Sequence, residues 1–499
     1  MNHKGFAPLV LLLIIGALIA IAGGGIYYQQ SAKSNNEPAA ETQVTQETPS
    51  GGTTSIPTEQ ANQNAVPKTS TQSNTPVKQT TAPSGATPSV PSAPEISCAS
   101  PTDTSHMDIF DSHVHIPSAF TATQMISEMD KAGVSVANLY TDSAGSLSAI
   151  SQYPGRFITF VDTPDSPKPS TWLAEGQSFL TSAETQLKTG KFAGIGETNL
   201  RYYGGPTVVP PPTIYVAADT PLWLQLVDLS AQYHVPISFH FVPDDSTANA
   251  AFERMLSHNK DAILIWAHLG FNNMALDSAA LNDYLLRYPH LYFDTAGIQS
   301  MQKSGYNWDR LMPNSKLSEG WRKFFETWNS RIMVASDAGG GSNGVDRWLN
   351  YSSGASDAAA PDSFGHWRSL FSYTDQNTAR NILSGNAREL FLKKQKPAYS
   401  YSVSSGGKCY SISVSSESSI SALTFNSSTR TIAFTVADST ATTGSATITI
   451  PIALGKNFSA SVDGQSVKSQ STANSTNTTV NVGYNGGIRS ITLTASGAQ

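Results

Sequence analysis

Eight short apolar runs, separated by stretches with helical periodicity, occupy residues 105–396. Strands that alternate with helices in this way form parallel sheets, because a parallel connection needs a crossover long enough to hold a helix. Eight strand–helix units over this length predict an α/β fold, a (β/α)8 TIM barrel. The predicted strands are Met107–Asp111, Val134–Tyr140, Arg156–Val161, Phe192–Gly196, Pro236–Phe239, Ala262–Ala267, Leu291–Asp294 and Arg331–Ser336. The predicted helices include Ala122–Ala132, Pro221–Tyr233, Ala248–Ser257, Leu276–Tyr288, Lys316–Asn329 and a closing helix at Thr378–Phe391.

Residues 1–28 contain a continuous apolar run long enough to cross a bilayer core, for which about 20 residues suffice. Lys4 precedes the run, while Lys33 and Glu37 roughly cancel after it, which favours an N-terminus inside. We therefore predict a single-pass transmembrane signal anchor in the cell membrane, with the remaining chain extracytoplasmic. A cleaved signal peptide is the alternative, but the glycines that end the run do not form the usual cleavage site.

Residues 29–104 are dominated by Ser, Thr, Pro, Gln and Asn. Such a segment buries too little apolar surface to offset its ordering entropy, so we predict a disordered linker between the membrane and the barrel. The formal net charge is −6 and only 14% of residues are charged. Because no basic patch stands out, we do not expect nucleic acid as a partner.

From residue 397 to 499 the pattern changes to short alternating or β-branched runs separated by turn residues. This pattern is typical of a small all-β sandwich, and it contains no histidine. It loosely resembles β-sandwich modules of prokaryotic surface proteins, which implies a spacer or adhesion role at most. The two cysteines, Cys98 and Cys409, flank the barrel, and they are either a disulfide that joins its two edges or two free thiols.

The first predicted strand ends in a pair of histidines one residue apart, within the sequence MDIFDSHVHIP at 107–117. Side chains alternate faces along a strand, so His113 and His115 point the same way, as does Asp111 one layer deeper. Two neutral imidazoles aimed at one point suit a divalent metal such as zinc. Asp111 is either a hydrogen-bond acceptor for an imidazole or a structural carboxylate.

Further residues of metal-ligand type follow the predicted strands at the edge where a barrel places its active site. A single histidine at such a position is more often structural than a ligand, but a full set at equivalent positions indicates one metal centre. Asp294, which ends the seventh strand, is interpreted as a capping residue. The six candidate ligands are His113, His115, Glu197, His240, His268 and Asp337.

With these residues in place, residues 107–392 resemble the amidohydrolase superfamily. The matching pattern is His-x-His on strand one, an acidic group on strand four, histidine on strands five and six, and aspartate on strand eight. LYFDTAG and RIMVASDAG resemble the branch that includes decarboxylases and lactonases, whereas GIGET resembles the branch with a bridging glutamate. The resemblance implies one or two divalent ions, with zinc expected.

In the binuclear version that the resemblance implies, His113, His115 and Asp337 bind one ion. His240 and His268 bind the other, and Glu197 bridges the two. In the mononuclear version, His113, His115 and Asp337 bind the single ion and His240 is a further ligand or a substrate contact. His268 and Glu197 then bind substrate or shuttle protons.

These residues predict an enzyme, a metal-dependent hydrolase that attacks an amide, lactone or ester bond of a small molecule with metal-activated water. Asp337 is the expected general base, and His240 and His268 are the other expected catalytic residues. Arg201 and Tyr203, on the loop after strand four, are candidate substrate contacts. The alternatives are a metal-dependent decarboxylase with the same barrel and a non-catalytic surface binding or adhesion protein.

Overall fold

A computed structural model describes Cys98 and residues 101–115, 120–140, 143–163, 169–203, 214–270, 277–298, 311–339, 351 and 364–496. All described residues belong to one compact unit, Ser89–Gln499. None of the described helices has the length and apolar character needed to cross a membrane. The predicted signal anchor at 1–28 and almost all of the predicted linker at 29–104 lie outside the described residues.

Parallel strands form the first part of this unit, residues 101–396, which we call the α/β region. One sheet has the order β1-β2-β3, and a second has the order β4-β7-β8-β9-β10. Isolated parallel bridges join Val161 to Ile195 and Val114 to Ala338, so both edges of the first sheet touch strands or strand ends of the second. The strands are β1 Ile109–His115, β2 Val134–Tyr140, β3 Phe157–Thr159, β4 Ile195–Asn199, β7 Pro236–His240, β8 Ile263–Trp266, β9 Leu291–Asp294 and β10 Ile332–Met333, with an antiparallel pair β5 Arg201–Tyr202 and β6 Ile214–Tyr215.

Helices cover these strands, and their ends follow local signals in the sequence. The first helix begins with a capping box between Thr121 and Gln124 and ends at Gly133, whose φ of 69° suits a residue without a side chain. Phe239, Trp266 and Phe293, from adjacent strands, belong to the large apolar core under the helices. The helices are α1 Ala122–Ala132, α2 Ser143–Gln152, α3 Pro169–Lys188, α4 Pro221–Tyr233, α5 Ser246–Leu256, α6 Ser278–Arg287, α7 Glu319–Thr327, α8 Phe364–Phe371, α9 Gln376–Arg380 and α10 Asn386–Leu392.

The prediction of alternating strands and parallel pairing is therefore confirmed. All eight predicted runs contain or overlap a parallel strand, although β1 continues through both histidines instead of ending before them. The predicted closing helix is interrupted by a π-helical turn at Asn381–Gly385 between α9 and α10. The strands pair in two sheets joined by single bridges, so the closed eight-stranded barrel stays a prediction.

Antiparallel strands form the second part, residues 397–496, which we call the C-terminal sheet. The two longest strands, β14 and β18, pair along most of their length, with a register shift between Asp438 and Thr443. Apolar residues alternate with exposed Ser and Thr, and one apolar core contains side chains from both halves of β14, such as Phe434 and Ile448. The strands are β11 Tyr399–Ser405, β12 Lys408–Ser415, β13 Ser419–Asn426, β14 Thr431–Pro451, β15 Phe458–Val462, β16 Gln465–Val467, β17 Ser469–Ala473 and β18 Asn477–Ala495.

All-β character is thus confirmed for this part, while the arrangement as a sandwich stays a prediction. Cys98 and Cys409 form a disulfide with a Cα–Cα distance of 5.7 Å, so the hypothesis of a covalent link between the two edges is confirmed. The link ties the chain just before the α/β region to β12 of the C-terminal sheet.

Candidate metal centre

All six predicted ligands lie at the carboxyl ends of parallel strands, and the structure brings them together. Parallel strands end at one edge of a sheet, so residues distant in sequence can meet there. His113 and His115 are on β1, Glu197 is on β4 and His240 ends β7. His268 follows β8, and Asp337 follows β10.

Three of these side chains form what we call the outer group: His113, His115 and Asp337. Their potential ligand atoms lie within 4.8 Å of one another. The Nε2 atoms of His113 and His115 are 3.1 Å apart, and Asp337 Oδ1 lies 3.4 Å from His115 Nε2. The side chains of His115 and Asp337 are 18% and 16% exposed, so this group is open to solvent on one side.

The other three form the inner group: Glu197, His240 and His268. Glu197 Oε1 lies 3.0 Å from His268 Nε2 and 3.5 Å from His240 Nδ1. The second carboxylate oxygen, Oε2, points toward the outer group and lies 3.4 Å from His113 Nε2. Glu197 therefore presents one oxygen to each group, from a side chain that is only 7% exposed.

Two of the six residues have backbone conformations that residues with side chains seldom adopt. His268 has a φ of 60° and Asp337 a φ of 59°. The N–H of Asp337 donates to the carbonyl of His113 at 3.0 Å, which ties the last strand end to the first strand. A side chain at Gly297, where φ is 65°, would place its Cβ 2.9 Å from Asp337 Oδ2. Unusual conformations of this kind are held by their surroundings and cluster at functional sites.

Burial and mutual charge give these groups unusual proton affinities. Burial opposes ionisation of Glu197, but the charges of His113 and His268 outweigh it and hold the pKa of that carboxyl well below its usual range. Burial lowers the pKa of His268, yet the charge of Glu197 dominates and raises that pKa to about 9. Burial lowers the pKa of His240 below its usual value, which favours a neutral imidazole. The pair Glu197 and His268 thus carries a carboxylate and, without a metal, a protonated imidazole.

The six donors fit a divalent metal site. Four imidazoles and two carboxylates converge in the two groups, and the Nε2 atoms of His113 and His115, 3.1 Å apart, need a cation or a proton between them. Imidazole with carboxylate is the donor set that zinc and related divalent ions bind. The outer and inner groups each supply the three ligands that a catalytic site with an open position requires.

Two buried aspartates next to the six residues have different contacts from those expected. Asp111 accepts hydrogen bonds from Ser336 Oγ at 2.5 Å and Tyr351 OH at 2.7 Å, and no imidazole nitrogen of the described residues donates to it. Burial raises the pKa of Asp111 to about 6. Asp294 accepts from His113 Nδ1 at 3.0 Å. The structural alternative is therefore the one observed for Asp111, while the interpretation of Asp294 as only a cap was incomplete.

The candidate substrate contacts Arg201 and Tyr203 are engaged in contacts of their own. Arg201 is 5% exposed, donates to Asp244 Oδ1 at 2.7 Å and to Asp245 Oδ2 at 2.8 Å, and lies over the ring of Tyr215. Tyr203 also bonds to Asp244. The guanidinium is thus neutralised by two carboxylates, and the assignment of a substrate role stays a prediction.

Two tyrosines lie against histidines of the site, and the sequence analysis did not assign Tyr140 to it. The Tyr202 ring packs edge-on against His240 with centroids 4.9 Å apart. The Tyr140 ring lies 4.4 Å from that of His113, and the Tyr140 side chain is buried at the end of β2. The position of Tyr140 at a strand's carboxyl end was a usable signal, because every predicted ligand shares that position.

Comparison with known proteins adds little to this picture. No protein-family model and no curated protein matches the sequence. The chain is similar to a probable 2-pyrone-4,6-dicarboxylic acid hydrolase from Acinetobacter baumannii, at 14% identity, covering 57% of this chain and 99% of that one, with a TM-score of 0.34.

Two further solved structures show comparable similarity. One is aminofutalosine deaminase from Helicobacter pylori, at 12% identity, covering 58% of this chain and 76% of that one, with a TM-score of 0.33. The other is an amidohydrolase from Pseudomonas aeruginosa, at 10% identity, covering 58% and 98%, with a TM-score of 0.33. At these TM-scores the likeness supports neither a fold nor a function, and the proposals below use only the geometry of the site.

Proposed function

We propose that the protein is a metal-dependent hydrolase with a binuclear centre. The observation that carries the proposal is the convergence of six ligand-type side chains in two groups of three, with one oxygen of Glu197 turned to each group. His113, His115 and Asp337 would hold one ion, His240 and His268 the other, and Glu197 would bridge them. The predominance of imidazole favours zinc.

When bound, such ions lower the pKa of coordinated water toward ~7 and polarise the scissile bond of an amide, lactone or ester. Asp337 is the proposed general base, because its side chain is 16% exposed whereas that of Glu197, the other carboxylate of the six, is 7% exposed. Its carboxylate accepts the proton of the attacking water and returns it to the leaving group. Glu197, held ionised by its neighbours, keeps the negative charge that two cations require.

The proposal includes the predicted architecture and location. A closed (β/α)8 barrel is supported by the two bridges that join both edges of the first sheet to the second. An extracytoplasmic position, with the anchor at 1–28 in the membrane, is supported by the disulfide, since such bonds persist in oxidising compartments.

Metal analysis of the purified full-length protein tests the proposal. We expect about two divalent ions per chain, loss of hydrolysis after chelation, and recovery when Zn²⁺ is restored. A screen of lactones, esters, amides and aromatic acids then identifies the bond. Protein that binds no ion at micromolar Zn²⁺ would contradict the proposal and favour a binding or adhesion protein, and release of CO₂ from an aromatic acid would favour a decarboxylase.

A further inference from the structure

Among the described residues outside the two groups, Asp294 is a carboxylate that contacts both of them. It ends β9, between β8, which precedes His268, and β10, which precedes Asp337. Its side chain is buried, and its two oxygens have different partners. The capping role expected from the sequence accounts for only one of them.

The first oxygen, Oδ2, faces the outer group. It lies 3.0 Å from Nδ1 of His113. A carboxylate can only accept, so in the neutral ring that a metal requires, Nδ1 of His113 carries the hydrogen and Nε2, which faces His115 and Glu197, keeps the free electron pair. The contact therefore selects the tautomer that can bind a metal through Nε2.

The second oxygen, Oδ1, acts on the inner group through the backbone. It accepts the N–H of His268 at 2.9 Å and the N–H of Ala296 at 3.0 Å. The carbonyl of Ala296 in turn accepts Nδ1–H of the His268 ring at 2.7 Å. The carboxylate thus holds the left-handed backbone of His268 and also the carbonyl that sets the ring's tautomer, leaving Nε2 toward Glu197.

From this geometry we infer that Asp294 is a positioning residue for both halves of the metal centre, directly for His113 and through the backbone for His268. The inference rests on the proposed function. It predicts that a mutation can abolish the effect of one oxygen and keep the effect of the other. Oδ2 bonds a side chain, whereas Oδ1 bonds only backbone N–H groups.

Asp294→Asn separates these two effects. The two backbone N–H groups can only donate, so the amide oxygen stays on their side and the amide NH₂ is turned toward His113. His113 then has to accept at Nδ1, which moves its hydrogen to Nε2 and blocks that ligand atom. We expect metal affinity of the outer group to fall about 10–100-fold, while the inner group retains its ion.

Asp294→Ala removes both oxygens, so we expect both ions to be weakened. Asp111→Asn is the matched control, because Asp111 is equally buried and its Oδ1 also accepts backbone N–H groups, those of Ser336 and His113, while its Oδ2 bonds the hydroxyls of Ser336 and Tyr351. A hydroxyl can reverse from donor to acceptor without moving a hydrogen onto another ligand atom. The control is therefore expected to change neither the metal count nor the tautomer of His113.

The measurements are ions per chain under chelator competition and the ring-nitrogen NMR shifts of His113 in metal-free full-length protein, at a pH high enough to make that ring neutral. We expect two ions for the wild type, one for Asp294→Asn, and a change from the Nδ1–H to the Nε2–H tautomer in that variant. Wild-type affinity for both ions in Asp294→Asn, or equal losses in Asp111→Asn, would overturn the inference alone. A wild type that binds no ion would instead overturn the proposed function, and this role with it.

Discussion

The α/β region and the C-terminal sheet bury different kinds of side chains. In the α/β region, Asp111, His113, His240 and Asp294 are all nearly inaccessible. Among the described residues of the C-terminal sheet, no Asp, Glu, His, Lys or Arg is buried, and the buried polar side chains other than tyrosine are serines and a threonine. Buried ionisable groups cost free energy unless they are paired, and they are retained where chemistry uses them. Among the described residues, the buried charged groups and the six candidate ligands therefore all lie in the α/β region.

The C-terminal sheet is nevertheless more than a spacer, because it packs on the strand that leads to Asp337. Asn329, just before β10, donates to the carbonyl of Ile420 at 3.0 Å and accepts from Tyr399 OH at 2.9 Å. The side chain of Arg331 reaches Asp438 at 2.8 Å. One region thus holds the reactive groups, and the other supports the strand that presents one of them.

The largest contrast is expected between acidic residues of the two regions. Asp337→Asn should lower turnover by about 10²–10⁴-fold, because the amide cannot take the proton of the attacking water. Asp463→Asn, which removes the exposed partner of Arg489 in the C-terminal sheet, should leave turnover unchanged. Both are measured on a hydrolysed substrate, with circular dichroism to show that the fold is retained. Near wild-type turnover of the first variant would exclude Asp337 as the base.

The disulfide provides the next test, because it joins the two regions across 311 residues. Replacing both Cys98 and Cys409 by Ser should lower the free energy of unfolding by about 2–5 kcal/mol, since the unfolded chain gains freedom. Urea unfolding followed by tryptophan fluorescence measures the loss, and Ser411→Ala, two residues further along the same face of β12, is the control. Unchanged stability would mean that noncovalent contacts alone hold the regions together.

Much of the α/β region could be predicted from the sequence because each strand is a short apolar run bounded by a helix. Val134–Tyr140 and Leu291–Asp294 were predicted with the bounds that the structure shows. The interruption at Asn381–Gly385 could not be, because the helical pattern continues through it and only tertiary packing decides the turn. The pairing of the long strands β14 and β18 could not be predicted either, because the register of two strands depends on contacts between residues distant in sequence.

The ligands were predictable because their position at strand ends is a property of local sequence. The roles of Asp111 and Asp294 could not be predicted. Both are buried carboxylates on parallel strands, and only their hydrogen-bond partners in the folded protein distinguish them. Arg201 illustrates the same limit, since its partners Asp244 and Asp245 are more than forty residues away along the chain.

The junction between the regions gives a smaller effect. Asn329→Ala should cost about 1–3 kcal/mol, because it removes the partner of Asn381 Nδ2 and one of the two bonds made by Tyr399 OH and by the carbonyl of Ile420. Both regions should still unfold in one transition. Asn481→Ala, which removes an exposed bond to Thr447, is the matched control and should fall within about 0.5 kcal/mol. Separate transitions for the two regions would contradict a shared folding unit.

The smallest effect concerns pH and the proton held on the ring of His268. A metal needs a neutral imidazole, yet the pKa of His268 in the metal-free protein is raised to about 9, so at neutral pH this ring holds a proton that the metal must displace. Metal affinity should therefore fall as pH falls below about 9, by about tenfold per pH unit for each proton displaced.

Calorimetric titration of Zn²⁺ between pH 6 and pH 8, in buffers of different ionisation enthalpy, counts the protons released. His258→Gln is the control, because His258 is a partly exposed histidine that pairs with Asp228 away from the six ligands. This variant should show the wild-type slope. A Zn²⁺ affinity that does not change over this range would show that the ring of His268 is already neutral. Glu197 would then not hold a proton on that ring, and the charges described for the inner group would be wrong.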